Sequence, residues 1–587
     1  MRIPFQNEIK TERTQISTFR GYDKSHDSKN GYFSDMENMS GDLYPRISSR
    51  EKRGIVDTEG VKIFGVMCTD VQRNGMLWKN ALVADCEGRL KLYYDEDGKL
   101  TGHNLFNTTT MLTQGEKLAV AIGSKIYFFP DKKSYDFISG RILPLEEKLE
   151  YKLGAQDAFY EFEMKPCDLD GNDADIVSPY RRLKRVCYNI DSEGKKGDYK
   201  MDMSFATTIN AGDTVKITGF EKYSLNTFYS ILSIASDRSF LIVEAADTYI
   251  QRVGTITITR MVPDMDYVVA SGNRLWGCKY GVNSSGSFVN EIYASALGDP
   301  TNWYKFNGTA ADSWTASIGE AGAFTGAVCV NGSPVFFKEN TIIKVYGDYP
   351  SEFYLTETKG RGIEEGSCKS AVFVNGSLYY KSRGGIVRYN EGAPTNVDEA
   401  LGSRAYVNAV AGELNNRYYV SMEDEKNGER VLFVYDTEKG TWYKEDKKDI
   451  KAFCRCASRL YFLCDEDGES RIYSVYHKSD LEKEEDPLWM CETQSFGFDT
   501  PDCKYLHSLI IRLDSPVGAY SEIYIEYDGD GKWRKVANTG SQKGTRNIRV
   551  VPRRCDSFRI RICGKGECSI RSITKAVERI DHPSNSQ

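Results

Sequence analysis

The run Ser458-Arg459-Leu460-Tyr461-Phe462 is a polar turn followed by mixed aliphatic and aromatic residues, and its pattern occurs six times earlier in the chain. The other copies are Ala81-Leu82-Val83-Ala84, Ser124-Lys125-Ile126-Tyr127-Phe128-Phe129, Asn273-Arg274-Leu275-Trp276-Gly277, Ser333-Pro334-Val335-Phe336-Phe337, Ser377-Leu378-Tyr379-Tyr380 and Asn416-Arg417-Tyr418-Tyr419-Val420. In chain order the copies start 43, 149, 60, 44, 39 and 42 residues apart. Several are followed, after a turn, by a second apolar run, as at 88–94, 341–346, 385–389, 430–435 and 470–476. A period of roughly 40–45 residues carrying several short strands is what one four-stranded propeller blade needs. A blade cannot bury both faces alone, so blades stack around an axis and cover each other's edges. Seven copies predict an all-β chain with a β-propeller of six or seven blades. An irregular multi-sheet β protein with evenly spaced strands is the competing reading.

The spacing also sets the expected domains: an N-terminal arm (1–53), first blades (54–149), an inserted domain (150–259), remaining blades (260–477), a linker (478–490) and a C-terminal domain (491–587). The insertion carries four or five short strands with Gly, Asn and Asp turns between 212 and 259, which predicts a small β-barrel. Within it, 167–200 is polar and charged and reads as a long exposed loop or hairpin. The charged run 478–486 reads as linker or solvated helix. Five strands at 505–513, 522–527, 547–551, 557–562 and 568–573, most alternating with period two, predict an antiparallel β-sandwich. The tail 582–587 is expected to be loose. The arm holds isolated aromatics (Phe5, Phe19, Tyr22, Tyr32, Phe33, Tyr44) without periodicity, so it is expected to dock on the blades or on another subunit; an ordinary ring-closing strand is the alternative.

At 587 residues the chain exceeds the size at which one core stops growing. Apolar residues at 40% and aromatics at 12% suffice for real cores. A net charge of −7 leaves no basic excess for gripping phosphates. The segment 1–13 has no apolar signal core and no run is long enough to span a membrane. The fifteen cysteines are therefore expected to be reduced, mostly buried thiols.

Catalytic signals are absent. The five histidines (His26, His103, His477, His507, His582) are scattered and lack zinc-type spacing. Cys454, Cys456 and Cys464 could supply three thiolates, but cysteines flanking a blade strand read as core. Asp436 to Trp442 resembles an Asp-box turn with altered spacing and occurs once, which a hairpin with a packing tryptophan explains. Asp299, Asp312, Glu320 and Glu339 could be imagined as a glycosidase pair, an arbitrary choice among 84 acidic residues. The expectation is no catalytic, cofactor-binding or metal residue, no cofactor and no enzyme.

Three stretches resemble tail proteins of phages and prophages of Gram-positive bacteria: Phe19-Arg20-Gly21-Tyr22 with 31–40 and 44–50; 262–267 with 273–278, 292–295 and 298–303; and 435–446 with 552–560. The second also echoes the tail nozzle and DNA-stabilisation propellers of short-tailed phages. The resemblance implies a structural virion protein, a hub or nozzle ring that closes or extends the DNA channel and supports genome retention and ejection. The implied partners are other tail proteins (adaptor, portal or fibre), copies of the chain in a ring, taken as a hexamer, and DNA passing without specific binding; the implied location is the virion tail after assembly in the host cytoplasm. An acidic chain suits a channel that should repel DNA. The alternatives are a carbohydrate-recognising receptor-binding tail protein, with Trp533 the only tryptophan of its C-terminal module, and less favourably a propeller glycosidase.

Overall fold

Tight hairpins demand a residue that tolerates positive φ, and the repeat supplies one before its apolar run. Asn331 (φ 48°) precedes Gly332 (80°), Asn375 (45°) precedes Gly376 (74°), and Asn415 (54°) precedes Asn416 (58°). Two consecutive left-handed residues make the type I′ turn whose twist matches paired strands. In the computed structural model each copy of the repeat accordingly forms the second strand of an antiparallel meander. The structure describes all residues except 1–9, 26–29, 74–75, 97–98, 106–111, 206–207, 498–503, 541 and 580–587. Phe5, His26, His582 and the tail 582–587 lie outside the described residues.

Among the described residues seven such sheets follow one another, at 63–104, 118–144, 267–317, 324–359, 372–396, 406–444 and 449–474. They are numbered first to seventh below. Within each, the four strands pair in chain order, and the seventh borrows Gly54–Val56 as its fourth. The second strands are apolar without alternation: in Ser333–Lys338, Val335, Phe336 and Phe337 are all fully buried. A strand covered on both faces needs no polar side. The architecture is all-β and of propeller type, and no α-helix occurs among the described residues.

Contacts divide the chain into two units: Met1–Asp70, Trp78–Leu105 and Gly360–Gln587 form one, and Val71–Leu77 with Phe106–Lys359 the other. In the second unit, Tyr127, Phe129, Leu275 and Tyr293 pack the second sheet on the third, and Trp276, Ile292, Phe336 and Ile343 pack the third on the fourth. This unit also holds the insertion, whose strands from Glu147–Ala155 to Gly254–Arg260 pair side by side until the series closes on itself. Phe162, Leu183, Ile217, Leu241 and Ile258 fill this barrel's interior. Of the two readings of 167–200, exposed loop or hairpin, the structure forms the hairpin from Tyr180 onward, where Tyr180–Ile190 pairs with Lys196–Met203. Tyr180–Ile190 is an eleven-residue barrel strand, with Leu183 in the barrel core and Arg185, on the same face, lying 3.9 Å over the ring of the core residue Tyr151. Arg181, also buried, donates to the carbonyls of Asp247 (2.9 Å) and Tyr180 (2.9 Å). The barrel is seated on a blade loop: Thr214 N–H donates to Asn302 Oδ1 (2.7 Å), and Phe228 stacks on Tyr304 at 4.8 Å.

In the first unit the fifth, sixth and seventh sheets pack in sequence, and Leu82 and Ala84 of the first sheet meet Tyr461 and Leu463 of the seventh. Beside them lies the C-terminal sandwich of two sheets. One is centred on Ser569–Arg579 and Lys504–Ser515, the other on Phe558–Lys565. The arm is built into both. Lys10–Ile16 and Ile47–Ser49 pair with Ser569–Arg579, and Phe33–Glu37 pairs with Leu488–Thr493. The arm's rings dock on the blades as well, Tyr22 lying 5.8 Å from Phe433 of the sixth sheet, and strand pairing is added to this because short segments without periodicity of their own can still complete existing sheets. The linker reading is also corrected: Glu482–Lys483 pairs with Gly54–Ile55, and Leu488–Thr493 is already a sandwich strand.

Candidate functional site

The arm joins the sixth sheet over two polar features, both inside the first unit. The first is a buried ionic cluster. Arg53, 1% exposed, donates through Nη1 to Asp446 Oδ2 (2.5 Å) and through Nη2 to Glu445 Oε2 (2.7 Å). Its backbone N–H donates to Glu484 Oε1 (2.7 Å), the carboxylate that also pairs with Arg50. Burial alone would lower the Arg53 pKa, but Asp446, Glu445 and Glu484 outweigh it and raise it. Burial likewise pushes both acids up. Arg53 and Arg50 overcome this at Asp446, whose carboxyl is held below its ordinary value, but not at Glu445, which stays raised. Five charges therefore hold the arm to the sixth sheet and to the segment that leads into the sandwich.

The second feature is a polar cavity of about 270 Å³ at one end of the sixth sheet. Period-two geometry in Phe33–Glu37 sends Met36 into the core and leaves Asp35 and Glu37 on the cavity side. The sheet contributes Tyr406 and its register partner Asp424. Charges meet in pairs: Lys444 Nζ lies 2.7 Å from Asp35 Oδ1, Arg404 Nη1 3.3 Å from Asp424 Oδ2, and Lys447 Nζ 2.7 Å from Glu429 Oε2. Burial, with Tyr406 and Asp35 nearby, raises the pKa of Tyr22; burial also raises that of Tyr406. Both phenols are neutral hydrogen-bonding groups in this setting. Burial lowers the Lys24 pKa, with Arg404 adding to the effect.

The residues singled out in the sequence do not converge on either feature. Asp299 caps its own turn, accepting from the Thr301 N–H (3.1 Å) and hydroxyl (2.5 Å). Asp312 is buried and accepts from the Gly308 N–H (2.6 Å) and the Thr309 hydroxyl (2.5 Å). Glu320 lies 3.8 Å from Lys359, and Glu339 is half-buried on the hairpin after Ser333–Lys338. Cys454 and Cys456 face the core between the seventh and first sheets with sulfurs 3.8 Å apart, whereas Cys464 lies in the other core on the opposite face. Among the described residues no group of three or more His, Cys, Asp or Glu is placed to hold a metal. Asp436 accepts from the Glu438 and Lys439 N–H groups (3.2 and 3.0 Å), and Trp442 is buried with Nε1 donating to Val397 (2.7 Å), a structural hairpin. Trp533 carries Arg561 at 3.9 Å and Arg559 at 5.3 Å over its ring, so guanidinium groups occupy the stacking surface a sugar would use.

Sequence reasoning passed over Asp35, Arg404, Asp424 and Lys444 because they lie far apart in the chain, and the stretches 31–40 and 435–446 that hold Asp35 and Lys444 were read as structural punctuation. The available signal was weak: Asp35 and Glu37 two apart in a strand that also carries buried apolar residues.

No family model and no curated protein matches the sequence. Similar solved structures include an exo-β-1,3-galactanase from Phanerochaete chrysosporium (11% identity, 52% of this chain and 94% of that chain, TM-score 0.21). A family 43 arabinoxylan arabinofuranohydrolase from Bacillus subtilis is another (12%, 55% and 95%, TM-score 0.19). The endosialidase of phage phi92 is a third (9%, 84% and 75%, TM-score 0.25). Enzymes thus stand among the chain's structural neighbours. The expectation of a chain without enzymatic activity is withdrawn. An all-β fold of this class hosts hydrolases as well as structural proteins, so fold and missing motifs together give no ground for excluding catalysis.

Proposed function

We propose that the chain is a structural protein of a bacterial virus tail, forming a hub or nozzle ring that closes or extends the DNA channel. The observation that carries this reading is how the tail-like arm is used. Residues 31–50, which bear the resemblance, pair with the sandwich as strands at Phe33–Glu37 and Ile47–Ser49. The continuation, Gly54–Val56, completes the seventh sheet. Arg50 and Arg53 anchor the turn between them on Glu445, Asp446 and Glu484. The arm and the C-terminal sandwich are thereby held in one body by backbone pairing and buried charge, a construction suited to a part that bears load. A net charge of −7 suits a wall that DNA must slide past.

Negative-stain electron microscopy of the purified protein, with mass analysis of purified phage particles, tests the reading. Closed rings and the presence of the chain in the particles are expected. A monomer at every concentration together with absence from particles would overturn it.

A further inference from the structure

The cavity between the arm and the sixth sheet carries a ligand inference that stands apart from the tail assignment. Tyr22 is 3% exposed, yet its hydroxyl, on a residue lining the cavity, makes no hydrogen bond among the described residues. Half-buried Glu37 and exposed Lys24 line the same space and form no ion pair among the described residues, while Asp35, Asp424 and Glu429 are neutralised by Lys444, Arg404 and Lys447. The Tyr22 ring is buried, and its hydroxyl can be satisfied only by what occupies the cavity. The lining therefore offers a phenol, a carboxylate and an ammonium, set among paired charges of both signs.

That chemistry selects its occupant. A phosphate or other anion would enter against four carboxylates, and a cation against Lys24, Arg404, Lys444 and Lys447. An apolar molecule would strip water from charged groups and return nothing. A hydroxyl both donates and accepts, so a neutral polyol can serve acceptor and donor side by side without net charge. We propose that the cavity binds a neutral polyhydroxylated ligand, a single sugar residue in a space of about 270 Å³. Its hydroxyls accept from Lys24 and donate to Glu37, and one exchanges a hydrogen bond with Tyr22. This places sugar recognition on the arm and the sixth sheet and not on Trp533.

The full chain, titrated with D-glucose, D-galactose and N-acetyl-D-glucosamine by saturation-transfer NMR, tests this, with glycerol 3-phosphate and glycine as charged and zwitterionic probes. At least one sugar should bind saturably while both controls fail. Tyr22→Phe removes only the hydroxyl and should weaken that binding on the order of tenfold; Glu37→Gln, at a half-buried position, should weaken it as well. Failure of every sugar at millimolar concentration, binding of a control alone, or sugar binding unchanged in both variants would overturn the proposal. Ring formation by the same preparation reads out the tail assignment separately.

Discussion

Arg53 shows what a single side chain does here. Its guanidinium is fully buried with two carboxylates, and removing one member of such a set leaves charge without a partner. Arg53→Met is therefore expected to cost about 3–5 kcal/mol of stability, read as a lower urea midpoint. Arg53→Lys should recover only part of this, because one ammonium cannot replace a fork that reaches Asp446 and Glu445 together. Asp446 gives the cluster a pH signature. Its folded pKa lies below its unfolded value of about 3.9, so its stabilisation is complete above that value and is lost as pH falls through the lowered one. Asp446→Asn should be less stable than the parent at pH 7 and should lose less further stability between pH 4 and pH 2, measured by urea titration at each pH. A parent and variant with parallel acid profiles would contradict this role.

At the scale of elements, the distance between neighbouring sheets depends on small residues. A Cβ added to Gly412 on the first strand of the sixth sheet would stand 2.7 Å from Phe453 Cβ and 2.8 Å from Leu460 Cδ1 of the seventh. Gly412→Val should overpack this contact and lower stability by about 1–3 kcal/mol, visible as an earlier thermal transition. The arm is the other element with a clear expectation. Phe19, Phe33, Met36, Met39 and Ile47 are all buried in the core of the first unit, and each fully buried apolar side chain contributes about 1.5–3 kcal/mol. A chain beginning at residue 54 should expose the edge of Ser569–Arg579 and that core, and should aggregate or melt well below the full chain in a thermal scan. An unchanged melting temperature would show that the arm is dispensable.

For the whole molecule, the thiols and the barrel provide the tests. Fourteen described cysteines are free, ten of them buried. The denatured, unreduced protein is expected to titrate close to fifteen thiols, the number in the sequence; a count near one or three would mean disulfides. Replacing 152–257 by a short linker removes the barrel, leaving Asn302 without the Thr214 N–H and Tyr304 without its Phe228 stack. The remaining blades should still fold, with a lower thermal midpoint; loss of the β signal in circular dichroism would show that the barrel is required for folding.

What the sequence by itself determined is whatever depends on neighbours in the chain. The blade strands were legible because a left-handed Asn or Gly before an apolar run specifies a hairpin locally, and because Val335, Phe336 and Phe337 follow without a polar interruption. The sandwich was legible by contrast, since Phe558–Lys565 alternates buried and half-buried residues along its whole length. Tertiary structure alone decided the arm, the linker and the cavity. Gly54–Val56 and Glu482–Lys483 are too short to carry a period and become strands only where an open edge offers them backbone partners. Asp35 and Asp424 lie almost four hundred positions apart and carry no local mark of being neighbours. Their meeting depends on the arm crossing the sixth sheet, and that crossing is set by long-range pairing and buried charge, which no stretch of sequence contains.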